Sequence, residues 1–264
     1  MIVVPAIIPR NKIQLEEEIK KVSKFANVIQ IDISDGIFTP FKTWPYNGND
    51  LEYFDNLKSE IDGLPKWDDI DFEFHFMVHN PADVVSDYIH LAPSSIIVQI
   101  EALNDSQDDF EKIYKLCKEN EVSIGLAIKP KTDTEKLKQY IEKTDFVQVM
   151  GNDLLGKHGT ELDEKAIEKI KEIKSLYPEK TIAIDIGVNL DTKDVLLEAG
   201  ATKLISGGAI LEAENYFLET LTFPAKSSFK SSVLIRQERG ALTEPCSRPA
   251  DALKIIRFKE ILIA

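Results

Sequence analysis

Short apolar runs alternate with amphipathic segments along most of the chain. The runs are rich in Val, Ile and Phe, and the segments between them repeat apolar residues at spacings of three and four, as in Leu15, Ile19 and Val22. Apolar runs bounded by turn residues are typical of buried strands, and the spacing of three and four is typical of one face of a helix. The pattern therefore predicts an α/β protein made of strand-helix units.

Eight such units can be counted. We predict strands at residues 3–8, 28–33, 72–77, 95–100, 123–128, 146–150, 181–184 and 203–206. After a first helix that carries Leu15 to Phe25, we predict helices at residues 49–60, 81–89, 107–120, 134–142, 163–176, 192–199 and 209–220. Eight units are what a closed (β/α)8 TIM barrel requires. An open doubly wound sheet is the alternative, and the lack of a Gly-x-Gly-x-x-Gly turn after the first strand disfavours it.

The last part of the chain departs from this pattern. Residues 224–264 contain eight Lys and Arg against four Asp and Glu, with Ser pairs, Gly240, Pro245 and Pro249 that are typical of a flexible connection. We predict that residues 1–223 form a single barrel domain and that residues 224–264 form a basic, flexible C-terminal tail.

Composition narrows the classes of partner. The 264 residues are 43% hydrophobic, enough for a full core, and the net charge of −13 argues against binding to nucleic acid. Only Cys117 and Cys246 occur, and no apolar stretch approaches the roughly 20 residues that span a bilayer. We expect a cytoplasmic protein with reduced thiols, no membrane partner and a small-molecule substrate. Association into a homo-oligomer is open.

Three of the apolar runs contain a group suited to proton or metal chemistry. Asp32, His75 and Asp185 each lie within a strand-like run. Burying such a group costs several kcal/mol unless it is paired, hydrogen-bonded or bound to a metal. In a barrel the carboxyl ends of the strands meet at one mouth, so these three residues predict one shared site.

The sequence around these residues resembles the ribulose-phosphate 3-epimerases. Residues 30–40, QIDISDGIFTP, resemble the segment His-x-Asp-x-Met-Asp-Gly-x-Phe-x-Pro of that family. Residues 75–81 look like its His-Leu-Met-Val-x-x-Pro, and residues 185–189 look like its Asp-Gly-Gly-Ile-Asn. The similarity covers about residues 2–220. It implies a barrel that inverts the carbon next to the ketone of a phosphorylated ketose, of the type D-ribulose 5-phosphate to D-xylulose 5-phosphate.

The resemblance also implies a divalent metal, usually zinc, with iron or manganese as alternatives. The family holds it with two histidines and two aspartates, of which this chain has Asp32, His75 and Asp185. Gln30 stands in the place of the other histidine. An amide oxygen is a weak ligand for zinc, so occupancy of the site depends on this substitution.

Inversion next to a ketone needs one group to remove a proton from one face and another to deliver a proton to the opposite face. We expect Asp32 and Asp185 to be these catalytic groups. Met77 and Met150 would form a water-poor wall beside the substrate. The expected phosphate-binding groups are the backbone N–H groups of Gly187, Gly207 and Gly208, helped by Lys157 and His158. The segment from residue 36 to 71 is a candidate lid or a variable decoration.

Two other functions are open. One is a catalytically diverged sugar-phosphate-binding barrel that has lost its metal through Gln30. The other is a sugar-phosphate lyase or decarboxylase on the same fold, which usually relies on an acidic residue and a lysine. The sequence leaves the choice between a pentose and a hexose phosphate open as well.

Overall fold

A closed barrel of eight parallel strands forms the centre of the protein. The computed structural model describes residues 1–211, in which the strands pair in chain order and β8 returns to β1. This confirms the predicted (β/α)8 TIM barrel. The strands are β1 (Ile2–Ile7), β2 (Val28–Ser34), β3 (Asp71–Met77), β4 (Ser95–Gln99), β5 (Ser123–Ile128), β6 (Phe146–Met150), β7 (Thr181–Asp185) and β8 (Lys203–Ser206).

Helices connect most of the strands on the outside of the barrel. They are α1 (Lys12–Val22), α2 (Leu51–Lys58), α3 (Pro81–Ile89), α4 (Gln107–Glu119), α5 (Glu164–Leu176), α6 (Lys193–Ala199) and α7 (Gly208–Leu211). Within residues 1–211, no helix has the length and apolar character needed to cross a membrane. The predicted tail at residues 224–264, and the predicted helix beyond residue 211, lie outside the described residues.

One predicted helix is wrong. Between β5 and β6, where we expected a helix at residues 134–142, the chain forms two short 3-10 segments, Thr134–Gln139 and Ile141–Lys143. Tyr140 separates them with φ −120° and ψ −23°, which interrupts the helical hydrogen bonding. Its ring is buried against Phe110 of α4, so packing of this side chain decides the backbone there.

Apolar strand residues face two separate cores. The larger core lies between the strands and the helices, whereas the smaller one fills the barrel interior with residues such as Val4, Ile97 and Ala183. Strands that are buried on both faces explain why the sequence shows continuous apolar runs rather than alternation. The polar side chains among them therefore point into the barrel and need partners there.

The segment between β2 and α2 is anchored in the helix layer. Trp44 is fully buried and packs edge-on against Phe54 of α2, and the Thr43 hydroxyl donates to the backbone oxygen of Asp32. Among the described residues, none between 36 and 71 lines the cavity at the barrel mouth. Phe38 nevertheless packs against the interior cluster that includes Met77 and Met150, so this segment borders the mouth, and its role as a lid stays a prediction.

A buried ion pair closes the barrel interior below the mouth. Lys203 of β8 donates to both carboxylate oxygens of Glu73 of β3 at 2.6 Å, and its ammonium lies 4.5 Å from the centre of the Phe146 ring. Glu73 shares the face of β3 on which His75 lies, two residues earlier in the strand. It is an interior residue, and its charge is balanced by Lys203.

This ion pair yields a stability prediction. Glu73→Gln keeps the shape of the side chain but leaves the Lys203 charge buried without a counter-charge, and we expect the free energy of unfolding to fall by about 3 kcal/mol or more. The double variant Glu73→Gln, Lys203→Met removes both charges and should recover most of that loss. Urea unfolding followed by circular dichroism measures both.

Glu119→Gln is the matched control. Glu119 lies 3.8 Å from Lys115 in an exposed pair, so its loss should change the free energy of unfolding by no more than about 0.5 kcal/mol. A double variant that is as unstable as the sum of the two single variants would show that the pair is not coupled in this way.

Candidate active site

Two carboxylates and one imidazole converge at the barrel mouth. Asp32 and His75 are directly paired in the register of β2 and β3, and Asp185 is the last residue of β7. Nδ1 of His75 lies 3.1 Å from Oδ1 of Asp32 and 3.7 Å from Oδ2 of Asp185. One ligand atom from each of the three residues lies within 4.8 Å of the others, close enough to hold one metal ion. The barrel thus brings together the three residues that the sequence predicted to share a site.

Gln30 bridges the two carboxylates. Its amide nitrogen donates to Oδ1 of Asp32 at 2.9 Å and to Oδ2 of Asp185 at 3.0 Å. Gln148 of β6 adds a second, longer donor to the same oxygen of Asp185 at 3.3 Å. These donors supply the hydrogen bonds that buried carboxylates need.

Gln99 of β4 completes the surroundings of His75. Its amide nitrogen lies 2.8 Å from Nε2 of the ring. The amide oxygens of Gln30, Gln99 and Gln148 are all buried without a hydrogen-bond partner. An unpaired buried acceptor costs about 1–3 kcal/mol, so the three amides are oriented toward the site at the expense of stability.

Burial and mutual charge shift the pKa values of this group. Burial, reinforced by the negative charge of Asp32, raises the pKa of Asp185 to about 7, although His75 and Gln30 oppose the shift. Burial alone lowers the pKa of His75, but the hydrogen bond and charge of Asp32, with Asp185 and Glu101, outweigh it and the pKa of the ring is raised. A carboxyl group that titrates near neutral pH can both take up and release a proton.

A cavity of about 300 Å³ opens above these residues. At the barrel end the cavity is lined by Asp32, Asp185, Met77 and Met150, and both methionines are buried. Its other walls come from residues 156–161 of the connection after β6, residues 186–189 after β7 and residues 205–209 of β8 and the turn that follows it. The predicted site residues outside the triad, Gly187, Gly207 and Gly208, are in these walls, as are Lys157 and His158. The connection after β6 thus forms one wall of the cavity, and Thr39 and Phe41 of the segment after β2 lie against its Gly156.

Two backbone features shape the wall beside Asp185. Ile186 has φ +78°, a left-handed conformation that is strained for a β-branched residue and costs on the order of 1–3 kcal/mol. Gly187 follows with φ +73°, and a Cβ atom there would lie 2.7 Å from the backbone of Leu162. At Gly207 a Cβ atom would lie 2.4 Å from the His158 ring, so this ring packs directly over the glycine.

A further carboxylate, Asp35, directly follows β2 near the mouth. It is a turn residue, because it accepts from the backbone N–H groups of Ile37, Phe38 and His79. Sequence reasoning missed Gln99 and Gln148. Both stand within apolar runs, so the rule that identified Asp32 and His75 applies to them once amides are included.

Comparison with known proteins identifies the family to which the chain belongs. The model of the Ribulose-phosphate 3 epimerase family matches residues 2–211. The chain belongs to this family. The match confirms the predicted membership and, with it, the prediction of an isomerase of the ribulose-phosphate 3-epimerase type.

Curated relatives in the ribulose-phosphate 3-epimerase family are distant but cover most of the chain. The ribulose-phosphate 3-epimerase of Schizosaccharomyces pombe is 24% identical over 214 residues, 81% of this chain and 88% of the relative. That of Bacillus subtilis is 27% identical over 214 residues, 79% of this chain and 91% of the relative. The identities are those of a diverged member.

Solved structures agree on the fold. A 3-hexulose-6-phosphate synthase aligns with a TM-score of 0.56 at 15% identity, over 84% of this chain and 98% of that chain. A mutant tryptophan synthase α-subunit from Pyrococcus furiosus aligns with a TM-score of 0.58 at 17% identity, over 83% of this chain and 94% of that chain. At these sequence identities the structural similarity supports the barrel fold but not a shared function.

The two glycines of the cavity walls give a second stability prediction. Gly187 and Gly159 share a positive φ, +73° and +75°, but a Cβ atom meets the Leu162 backbone at Gly187 and nothing within 4 Å at Gly159. We expect Gly159→Ala to lower the free energy of unfolding by about 1–2 kcal/mol, the cost of the left-handed conformation. Gly187→Ala should lower it further because of the collision, as measured by urea unfolding. Equal losses would show that Leu162 yields without cost.

Proposed function

We propose that this protein is an epimerase that inverts the carbon next to the ketone of a phosphorylated ketose, as in the interconversion of D-ribulose 5-phosphate and D-xylulose 5-phosphate. The observation that carries the proposal is the burial of Asp32 and Asp185 together at the closed end of one cavity, hydrogen-bonded to the same amide nitrogen of Gln30. Family membership supports the same reaction class.

The two carboxyl groups suit the exchange of one proton. One group removes the proton beside the ketone, which leaves an enediolate, and the other delivers a proton to the opposite face. Because the reaction is reversible, each group must serve as base in one direction and as acid in the other. The pKa of Asp185, raised to about 7, suits this double task at neutral pH. Met77 and Met150 would keep water from the planar intermediate.

The donor set fits a divalent metal. Two carboxylates and an imidazole lie within reach of a common point, and the amide oxygen of Gln30 is buried without a partner. Asp32, His75 and Asp185 would hold the ion, and Gln30 would become a fourth ligand if its amide turned its oxygen inward. When bound, the ion supplies positive charge that stabilises the oxygens of the enediolate. Imidazole with carboxylate ligands suits zinc, iron and manganese.

The far walls of the cavity suit the phosphate of the substrate. Gly207 and Gly208 follow β8, and Gly187 comes soon after β7, so all three residues border the same space, where their backbone N–H groups would bind the phosphate. Lys157 adds a positive charge from the connection after β6. Binding energy gained at a phosphate remote from the reacting carbon orients the substrate for proton transfer.

One observation favours a second candidate function. In this structure the Gln30 amide nitrogen bridges the two carboxylates that would hold the metal. A hydrogen-bond donor in that place lets the carboxylates coexist without an ion. The chain would then be a metal-free sugar-phosphate-binding barrel that retains the scaffold of its family.

Metal content and turnover test the proposal together. We expect the purified wild-type protein to bind a divalent metal and to exchange the hydrogen beside the ketone of D-ribulose 5-phosphate with solvent deuterium, measured by NMR, while D-xylulose 5-phosphate forms. Asp185→Asn should lower turnover by at least about 100-fold because one proton-transfer group is lost. Metal content is measured by elemental analysis with and without added zinc, iron or manganese.

Asp194→Asn is the matched control, since this aspartate is exposed in α6 and its loss should leave turnover unchanged. Gln30→His adds a stronger ligand and separates the two candidates. A metal-free, inactive wild type that gains metal and turnover only in Gln30→His would contradict the epimerase and support the binding barrel.

A further inference from the structure

The three buried glutamines around the triad share an unusual arrangement. Gln30, Gln99 and Gln148 lie on β2, β4 and β6, all fully buried, and each directs its amide nitrogen toward a member of the triad. Each leaves its amide oxygen buried without a partner. Unpaired buried acceptors of this kind need an explanation, and the contact between Gln99 and His75 supplies one.

This contact fixes the position of the ring proton. The amide nitrogen of Gln99 carries only donor protons, so Nε2 of His75, 2.8 Å away, must accept. In the neutral ring the proton is then on Nδ1, from which it is donated to Oδ1 of Asp32 at 3.1 Å. In this tautomer Nδ1 has no lone pair to offer a metal ion.

A cation held by the triad needs the opposite tautomer. Nδ1 is the ring nitrogen that faces Asp32 and Asp185, whereas Nε2 faces Gln99. A metal ligand must be unprotonated, so the proton has to move to Nε2, which then requires an acceptor. The unpaired oxygen of Gln99 becomes that acceptor when the carboxamide makes a half-turn, because the turn exchanges its nitrogen and oxygen in place.

We propose that Gln99 is a positioning residue whose carboxamide, by a half-turn, determines which nitrogen of His75 carries the proton and so prepares Nδ1 for a divalent cation. The number of protons on the ring is unchanged in this step, since the proton lost from Nδ1 is regained at Nε2. The proposal rests on the proposed function in that it concerns the same metal site. It assigns a role to a residue that contacts neither the cation nor the substrate.

The tautomer is measured directly from the ¹⁵N chemical shifts of the ring, with the His75 signals assigned by their loss in His75→Asn. We expect the metal-free wild type to carry the proton on Nδ1 and the zinc-bound protein to carry it on Nε2. Gln99→Glu places acceptors only beside Nε2, so it should show the Nε2 proton without any metal. Gln148→Leu is the control, because Gln148 contacts Asp185 and does not contact His75, and it should leave the proton where the wild type has it.

Manganese affinity, measured by titration calorimetry, gives the second readout. Gln99→Leu has neither donor nor acceptor and should bind Mn²⁺ about 10- to 100-fold more weakly than the wild type, as is typical when the partner of a metal-bound histidine is lost. Gln99→Glu should bind at least as tightly as the wild type. If Gln99→Glu does not fold, the Mn²⁺ affinity of Gln99→Leu relative to the wild type decides the question alone.

Three results would overturn the proposal. One is a metal-free wild type with the proton already on Nε2, and another is a proton that stays on Nδ1 when zinc binds. The third is a Gln99→Leu variant that binds Mn²⁺ as tightly as the wild type. If the site does not bind metal at all, neither the wild type nor Gln30→His will bind zinc or Mn²⁺. That result contradicts the proposed metal site and is distinguishable from the three results above.

Discussion

The rest of the site depends on one constraint, which is that two carboxylates are buried in the apolar interior of a barrel. A carboxylate in such surroundings is stable only with hydrogen-bond donors or a cation beside it. The nearest polar side chains accordingly donate, since Gln30, Gln148 and His75 all direct N–H groups at Asp32 or Asp185. The need for donors explains the cluster of amides around the two carboxylates, whereas deeper in the barrel the Glu73 carboxylate is balanced by Lys203 among apolar residues.

Most of the fold could be predicted from the sequence because strand and helix periods leave different traces. Parallel strands buried on both faces appear as short apolar runs, and each of the eight runs is a strand of the barrel. The prediction failed at residues 134–142, where the apolar spacing of a helix is present but the Tyr140 ring packs into the core and takes the backbone out of helical geometry. Tertiary packing of one side chain is invisible to a periodicity argument.

The site could be predicted only in part, and the reason lies in the kind of residue sought. Asp32, His75 and Asp185 are conspicuous because a charge in an apolar run needs an explanation. An amide such as Gln99 carries no charge and is equally out of place there, but only its contact with His75 reveals its importance. The residues of the cavity walls were harder to predict from the sequence. Which connections between strands and helices line the mouth depends on how each connection packs. Trp44 of the long segment after β2 packs in the helix layer against Phe54, whereas residues 156–161 after β6 line the cavity.

The strained peptide at Ile186 has a geometric consequence for substrate choice. It joins Asp185, one of the proposed proton-transfer groups, to Gly187, which borders the proposed phosphate end of the cavity. Two peptide bonds of fixed conformation therefore set the span between these two ends. The backbone of Leu162 lies beside this turn and leaves no room for a side chain at Gly187. Under the proposed function, the distance from Asp185 to Gly187 corresponds to the distance from the reacting carbon to the phosphate, so this turn bears on the length of sugar phosphate that fits.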